Sequence, residues 1–325
     1  MIYAVWIPLV VPLLAVPAAR RVAECPSPRA AAWILTALTL ALALSSTAAL
    51  GLLALAGALR VPFVAALGHL SPPLLGRGSP TTAPAAVVAA VALTALAAAV
   101  LRRTHRHVRE LRTARRQFGG GASAGDLWVR QDDRPEAYAL PGRPGRIVVS
   151  SGMLRSLSAP EREVLFAHER AHLAHGHHVF LAAAELASVL HPALHGLRTP
   201  IGYALERWAD ESAAETTGDR TLTARAIARA ALAAHTGSAC ARPRLSLTAT
   251  AGPVPRRVFA LLAAHPAAPG TRRPRPWVMA RLLSAAVLLT CVTLSTAAAV
   301  EAATDLHTGI EIAQGEAHGR PDAVR

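Results

Sequence analysis

Long stretches without a charged residue alternate along this chain with one long polar region. Four runs carry no charge at all: 2–19, 30–59, 82–101 and 282–300. About 20 apolar residues let a helix cross the hydrocarbon core of a bilayer. We therefore predict a mainly α-helical membrane protein with four transmembrane helices, at about 2–19, 32–57, 82–101 and 277–300.

The first of these runs differs from the others in its proline content. Pro8, Pro12 and Pro17 interrupt it, so we expect a kinked helix. Its basic pair, Arg20 and Arg21, follows the apolar residues instead of preceding them. That order argues against a cleaved signal peptide.

The region between the third and fourth runs, 119–276, has the mixed pattern of a water-soluble domain with its own core. Short strand-like segments occur at 127–130 and 147–150, the second after two Pro-Gly turns. Ser158 and Glu161 fit a capping box at the start of a helix. Three helices are predicted: 158–176, 177–190 and 200–218, the last with Thr199 as N-cap. The pattern indicates an α+β domain.

Composition and charge restrict the class of protein. Of the 325 residues, 52% are hydrophobic and 17% charged, which excludes a disordered chain. Three cysteines are too few for a disulfide-stapled scaffold. The net charge of +14 is compatible either with nucleic-acid binding or with arginines at a membrane boundary.

The positions of the arginines favour the membrane boundary. Seven of the 15 residues from 102 to 116 are Arg, directly after the third apolar run, and the tail 301–325 is mainly acidic. The positive-inside rule then predicts that both termini are extracytoplasmic and that the α+β domain is cytoplasmic. Direct binding of nucleic acid is not expected, because the basic clusters adjoin spans.

The strongest chemical signal is the segment 168–172, His-Glu-Arg-Ala-His. Residues four apart share one helical face, so His168 and His172 can bind one metal ion. Glu169 lies about 100° around the helix from His168, where it can accept a proton from water at that metal. Chance alone would produce about 0.02 such motifs in a chain of this composition.

A catalytic zinc needs a third protein ligand, and two candidates exist. His178 has the spacing of the metzincin motif, but His175 replaces the glycine which that motif requires. Glu206 is the preferred candidate. Asp210 follows it by four residues, on the same helical face, and could accept the N–H of a ligand imidazole.

These segments together resemble the membrane-embedded gluzincin peptidases. The resemblance includes the strand segments 137–142 and 147–154 and the arginine-containing stretch 255–262. Two branches are similar: the beta-lactam sensor-transducer peptidases of the BlaR/MecR type, and the prenyl-protein and heat-shock membrane endopeptidases. The arrangement of three spans before and one after favours the sensor-transducer branch. Those receptors continue into an extracellular penicillin-binding domain, whereas about 25 residues follow Val300 here.

The resemblance implies a zincin-like peptidase domain with one Zn2+ per chain. It implies His168, His172 and Glu206 as metal ligands, Glu169 as the general base and Asp210 as the partner of a ligand imidazole. The implied activity is a zinc endopeptidase acting at the cytoplasmic side of the membrane. Its protein substrate would be a transcriptional repressor of the penicillinase-repressor type, or otherwise a misfolded membrane protein. A non-enzymatic metal-binding sensor or transporter is the alternative.

Other residues receive structural interpretations from the sequence. His175, His177 and His178 are expected to be solvated histidines at a helix end, with a second metal site as the alternative. Tyr203 and Arg257 are candidate oxyanion stabilisers, although a structural role is favoured for each. The segment 147–150 is the candidate exposed strand edge for pairing with an extended substrate.

Overall fold

The computed structural model describes residues 6–24, 27–59, 61, 63–64, 82–117, 123–235, 253–263 and 276–318. The predicted start of the α+β domain at residue 119 lies outside these residues. The helices in chain order are α1 (Ile7–Val10), α2 (Pro12–Val22), α3 (Pro28–Ala58), α4 (Thr82–Gln117), α5 (Ser151–Ser156), α6 (Ala159–Ala174), α7 (His177–Leu190), α8 (Arg198–Thr217), α9 (Arg220–His235), α10 (Val254–Leu262) and α11 (Pro276–His318). The strands are β1 (Ser123–Ala124), β2 (Leu127–Arg130), β3 (Ala137–Leu140) and β4 (Arg146–Ser150).

Three helices of the described chain are long and apolar enough to cross a membrane, with spans at Pro28–Ala58, Ala83–Arg116 and Leu283–Thr308. They correspond to the second, third and fourth predicted spans. Over the first predicted span the chain forms two short helices, α1 and α2, of four and eleven residues, which adjoin at Val11 as expected for a kinked helix. Pro12 begins the second of these and lacks the N–H that would continue the hydrogen-bond ladder, while Pro17 lies inside it. That this segment crosses the membrane stays a prediction.

The small sheet is mixed, with strand order β1-β2-β4-β3. Strand β4 pairs in parallel with β2 and antiparallel with β3. The prediction that 147–150 is an exposed edge is therefore wrong, because β4 lies between two partners. Strand β3 is the last strand next to β4, because the chain turns back after Leu140 and pairs the two strands.

The two faces of the sheet contact different helices. Val148 and Tyr138 pack with Leu111 and Ala114 of α4, so this helix continues past its apolar part to cover one face. On the opposite face, Val149 joins a cluster with residues of α5, α6 and α9. The alternation of the strand residues thus places helix α6 on one side of the sheet and the arginine-rich end of α4 on the other.

A second core joins the helices after the sheet to the apolar helices. Leu205 and Trp208 of α8, Phe180 of α7 and Ala19 of α2 belong to one buried cluster with Leu35 of α3. A 3-10 helix, Pro192–Leu197, leads directly into α8. Because the chain is already helical there, α8 begins at Arg198 without the predicted cap from Thr199. The helix that carries Glu206 is thus packed against the apolar bundle.

Candidate metal centre

Helix α6 carries the His-Glu-Arg-Ala-His segment in its C-terminal half. The helix begins after Ser158, where the predicted capping box is present: Ser158 N and Oγ both donate to Glu161 Oε2, at 2.9 and 2.8 Å. Arg229 of α9 also donates to Glu161 Oε2, at 3.0 Å. The cap fixes the start of the helix, and His168 and His172 follow on the face that is buried.

Helix α8 crosses α6 and supplies the acidic residues. Glu206 and Asp210 are one turn apart, and each is 1% exposed. Their neighbours Leu205 and Ala209 are completely buried, so both sides of this stretch are covered. The face that holds the two carboxylates is therefore directed at α6 and away from solvent.

The side chains from the two helices converge on one point. The Nε2 atoms of His168 and His172 are 3.0 Å apart, and each lies 3.6 Å from a carboxylate oxygen of Glu206. One ligand atom from each of the three residues lies within 4.8 Å of the others. Two imidazole nitrogens and one carboxylate oxygen are a donor set of catalytic zinc sites. The residues thus fit a zinc ion in type, number and spacing.

Asp210 lies behind the first of these histidines. Its Oδ1 is 3.0 Å from His168 Nδ1, the ring nitrogen directed away from the convergence point. A carboxylate in this position accepts the Nδ1–H and leaves the Nε2 lone pair directed at a metal. The two helical faces predicted from the sequence therefore meet, with Asp210 next to a ligand imidazole.

Arg257 of α10 forms ion pairs with the carboxylates of both Glu206 and Asp210. Its Nη1 is 2.7 Å from Glu206 Oε2, and its Nε and Nη2 contact both oxygens of Asp210 at 2.7 and 2.6 Å. The side chain is completely buried, which makes an oxyanion role unsuited to it and a role in orienting the carboxylates suited. The resemblance identified the segment, but no local pattern of residues indicates this double ion pair.

His177 also lies at the centre, although the sequence predicted a solvated histidine. Its Nδ1 is 2.7 Å from His172 Nδ1, and its side chain is completely buried. The prediction of a solvated histidine is thus wrong for His177. His175 is exposed and stacks on Trp208, and His178 is partly buried and outside the ligand group.

Tyr203 also has a structural position. It is 9% exposed and belongs to the core that α8 shares with the apolar helices. Burial raises the pKa of its hydroxyl. Its surroundings favour the structural interpretation over that of an oxyanion stabiliser.

The protonation states follow from burial and from the ion pairs. Burial disfavours the charged form of His168, but the neighbouring carboxylates of Asp210 and Glu206 outweigh it and raise the pKa of His168 to about 9. Burial opposes ionisation of Asp210, yet the charge of Arg257 dominates and lowers the pKa of Asp210 to about 2. Burial raises the pKa of Glu206 in spite of Arg257. Burial, with the neighbouring histidines, lowers the pKa of His172 well below its ordinary value.

Glu169 is placed next to the ligands but is not one of the three. It is completely buried, and its charge acts on Arg257. None of the six residues His168, Glu169, His172, Glu206, Asp210 and Arg257 is more than 3% exposed. The whole centre is therefore buried.

Comparison with known proteins identifies a family for this region. The model of peptidase family M48 matches residues 102–273, which is more than half of the chain. The match includes α4 from its first arginine, the sheet and helices α5 to α10. Neither a curated protein nor a solved structure showed significant similarity to the chain.

Proposed function

Because the chain belongs to peptidase family M48 and is a membrane-associated metallopeptidase of the zincin type, we propose that it is a zinc endopeptidase that hydrolyses a protein substrate on the cytoplasmic side. The observation that carries this proposal is the buried group of His168, His172 and Glu206, with Glu169 beside it. A zinc ion held there would lower the pKa of water and polarise the scissile carbonyl.

The proton transfers belong to Glu169. Its carboxylate accepts a proton from the water molecule whose oxygen attacks the carbonyl carbon of the substrate. It then donates that proton to the nitrogen of the leaving amine as the C–N bond breaks. A metal-binding protein without enzymatic activity has no need of a carboxylate at this position, so Glu169 distinguishes the two functions.

The remaining charged residues position the ligands. Asp210 directs His168 through its Nδ1, and Arg257 holds Asp210 with two hydrogen bonds and Glu206 with an ion pair. Since Arg257 is a planar, permanently charged donor, it can contact both oxygens of Asp210 and still reach Glu206.

The cytoplasmic location of the site is supported by the arginine distribution. The seven arginines from 102 to 116 follow an apolar run, and the acidic tail follows another. A reporter enzyme that is active only outside the cytoplasm should be active when fused after Arg325. A fusion that is active only inside would contradict the topology.

The substrate class is proposed from the resemblance to sensor-transducer peptidases. It is a transcriptional repressor of the penicillinase-repressor type, with a misfolded membrane protein as the alternative for a quality-control protease. Comparative N-terminal proteomics of cells carrying the wild type or Glu169→Ala should reveal new N-termini only in the wild type. New N-termini in a small DNA-binding protein would support a repressor substrate. New N-termini in many membrane proteins would support a quality-control protease. Identical sets of termini would contradict proteolysis.

Zinc binding should release a proton near neutral pH. With a pKa raised to about 9, His168 in the metal-free protein is protonated, and zinc requires its Nε2 lone pair. We therefore expect the zinc affinity to rise about tenfold per pH unit from about pH 7 and to level off near the pKa of His168. Calorimetric titration at several pH values measures this slope.

The control for the proton release is Asp210→Asn. It removes a carboxylate that raises the pKa of His168, so its affinity should level off at a lower pH than in the wild type. A zinc affinity that is independent of pH over this range would contradict the assignment. So would an identical pH dependence in Asp210→Asn.

A further inference from the structure

The two histidines of the metal centre have different partners at their outer nitrogens. His168 faces a carboxylate, whereas His172 Nδ1 lies 2.7 Å from Nδ1 of a third histidine, His177. His177 is the first residue of α7, and Gly176 before it has a φ of +63°. This left-handed residue reverses the chain after α6, so that His177 returns to the end of the helix that carries His172.

The carboxylate of Asp210 determines which ring nitrogens of His168 and His172 carry protons. Asp210 Oδ1 lies 3.0 Å from His168 Nδ1, and a carboxylate behind a ligand imidazole accepts its N–H. In the metal-free protein His168 Nε2–H can donate to His172 Nε2 across 3.0 Å, and in a metal-bound protein the metal would take that lone pair. In both cases neutral His172 carries its proton on Nδ1. His177 Nδ1 must then be the acceptor of this hydrogen bond.

We propose that His177 is a positioning residue of the metal centre: it accepts the hydrogen bond of His172 Nδ1–H, and so holds His172 in the tautomer and orientation that direct Nε2 at the metal. The inference rests on the proposed function, because it assigns His172 as a ligand. Ligand imidazoles in metal sites almost always donate their second N–H to an acceptor that orients them. The structure provides this acceptor on a different helix for each ligand.

The ring of His177 is itself held by its neighbours. Its centroid lies 4.7 Å from the ring of Trp208 and 6.3 Å from that of Phe180. The side chain is 0% exposed, so water cannot replace it as the acceptor. A neutral acceptor adds no further negative charge to a buried centre that already contains Glu169, Glu206 and Asp210.

The test compares zinc affinities of the full-length, detergent-solubilised protein, measured by competition with a chromophoric chelator. His177→Phe keeps a buried ring and removes the acceptor, and we expect an affinity about 10- to 100-fold lower than in the wild type. In His177→Asn, the side-chain Oδ1 can take the place of Nδ1, so the affinity should remain within about threefold of the wild type. His178→Phe is the matched control at a neighbouring, partly buried histidine and should leave the affinity unchanged.

A second readout separates ligand orientation from folding. The visible absorption spectrum of the Co2+-substituted protein reports the geometry at the metal, and it should change in His177→Phe but not in His177→Asn. If His177→Phe does not fold, His177→Leu, which also lacks an acceptor, replaces it in the same comparison. An unchanged affinity in the variant without an acceptor, or equal losses in that variant and His177→Asn, would overturn the inference. A wild-type chain that binds no zinc would overturn the proposed function as well.

Discussion

Replacing Glu169 by glutamine should abolish peptide hydrolysis while zinc remains bound. Glutamine keeps the size of the side chain but cannot accept the proton of the attacking water, so we expect the rate to fall about 10²- to 10⁴-fold. Zinc binding should persist because Glu169 is not one of the three grouped ligands. Cleavage of an unfolded test protein and zinc content, measured on the same purified sample, give both results.

The matched control is Glu163→Gln in the same helix. Glu163 is exposed and lies six residues before Glu169, so this variant makes the same chemical change without altering the centre. It should retain wild-type activity. If Glu169→Gln cleaves the test protein at the wild-type rate, the residue is not the proton carrier and the metal-binding alternative gains support.

The second large effect is expected at Arg257. Arg257→Leu leaves Glu206 and Asp210 buried without their common cation. Removing one partner of a buried ion pair costs about 3–5 kcal/mol, so the metal-free protein should lose that much free energy of unfolding. Added zinc should restore part of the loss, because a bound cation compensates the same carboxylates. Denaturant-induced unfolding with and without zinc measures both effects.

Arg256→Leu is the comparison for Arg257. This neighbour is 67% exposed and pairs with Glu24 at 3.0 Å. Exposed pairs contribute at most about 1 kcal/mol, so its replacement should have a small effect that zinc does not alter. Equal losses of stability in both variants would contradict the role assigned to Arg257. A loss in Arg257→Leu that zinc does not reduce would contradict it as well.

Local features of the site could be predicted from the sequence. The capping box at Ser158 and the spacing of His168 and His172 each depend on residues within one helix, and helical geometry alone determines their relations. The spacing of Glu206 and Asp210 likewise placed both on one face. That the two faces meet is a property of tertiary packing, which the family resemblance supplied.

The features that were missed depend on contacts between distant elements. Arg257 lies 47 residues after Asp210, and nothing in its local pattern distinguishes it from an exposed arginine such as Arg256. His177 looked like one of several polar residues at a helix end, and only the turn at Gly176 brings it under His172. A buried charged residue can be recognised from the sequence only when the residues that pair with it are known.

One wrong prediction and one unconfirmed prediction have other physical causes. The positions of strands within a sheet do not follow from their order along the chain. The sequence therefore indicates an edge at 147–150, although β3 pairs beside it. In the first apolar run, hydropathy predicted a span, but Pro12 and Pro17 divide and interrupt the helix. That this first run crosses the membrane stays a prediction.

One zinc ion, held by His168, His172 and Glu206, should be required for peptide hydrolysis. The decisive measurement strips the purified protein with a chelator and follows cleavage of an unfolded test protein as zinc is added back. We expect no cleavage in the stripped protein and full recovery at about one zinc per chain, as expected for a single catalytic site. Cleavage that persists in the stripped protein, or that no amount of zinc restores, would contradict it.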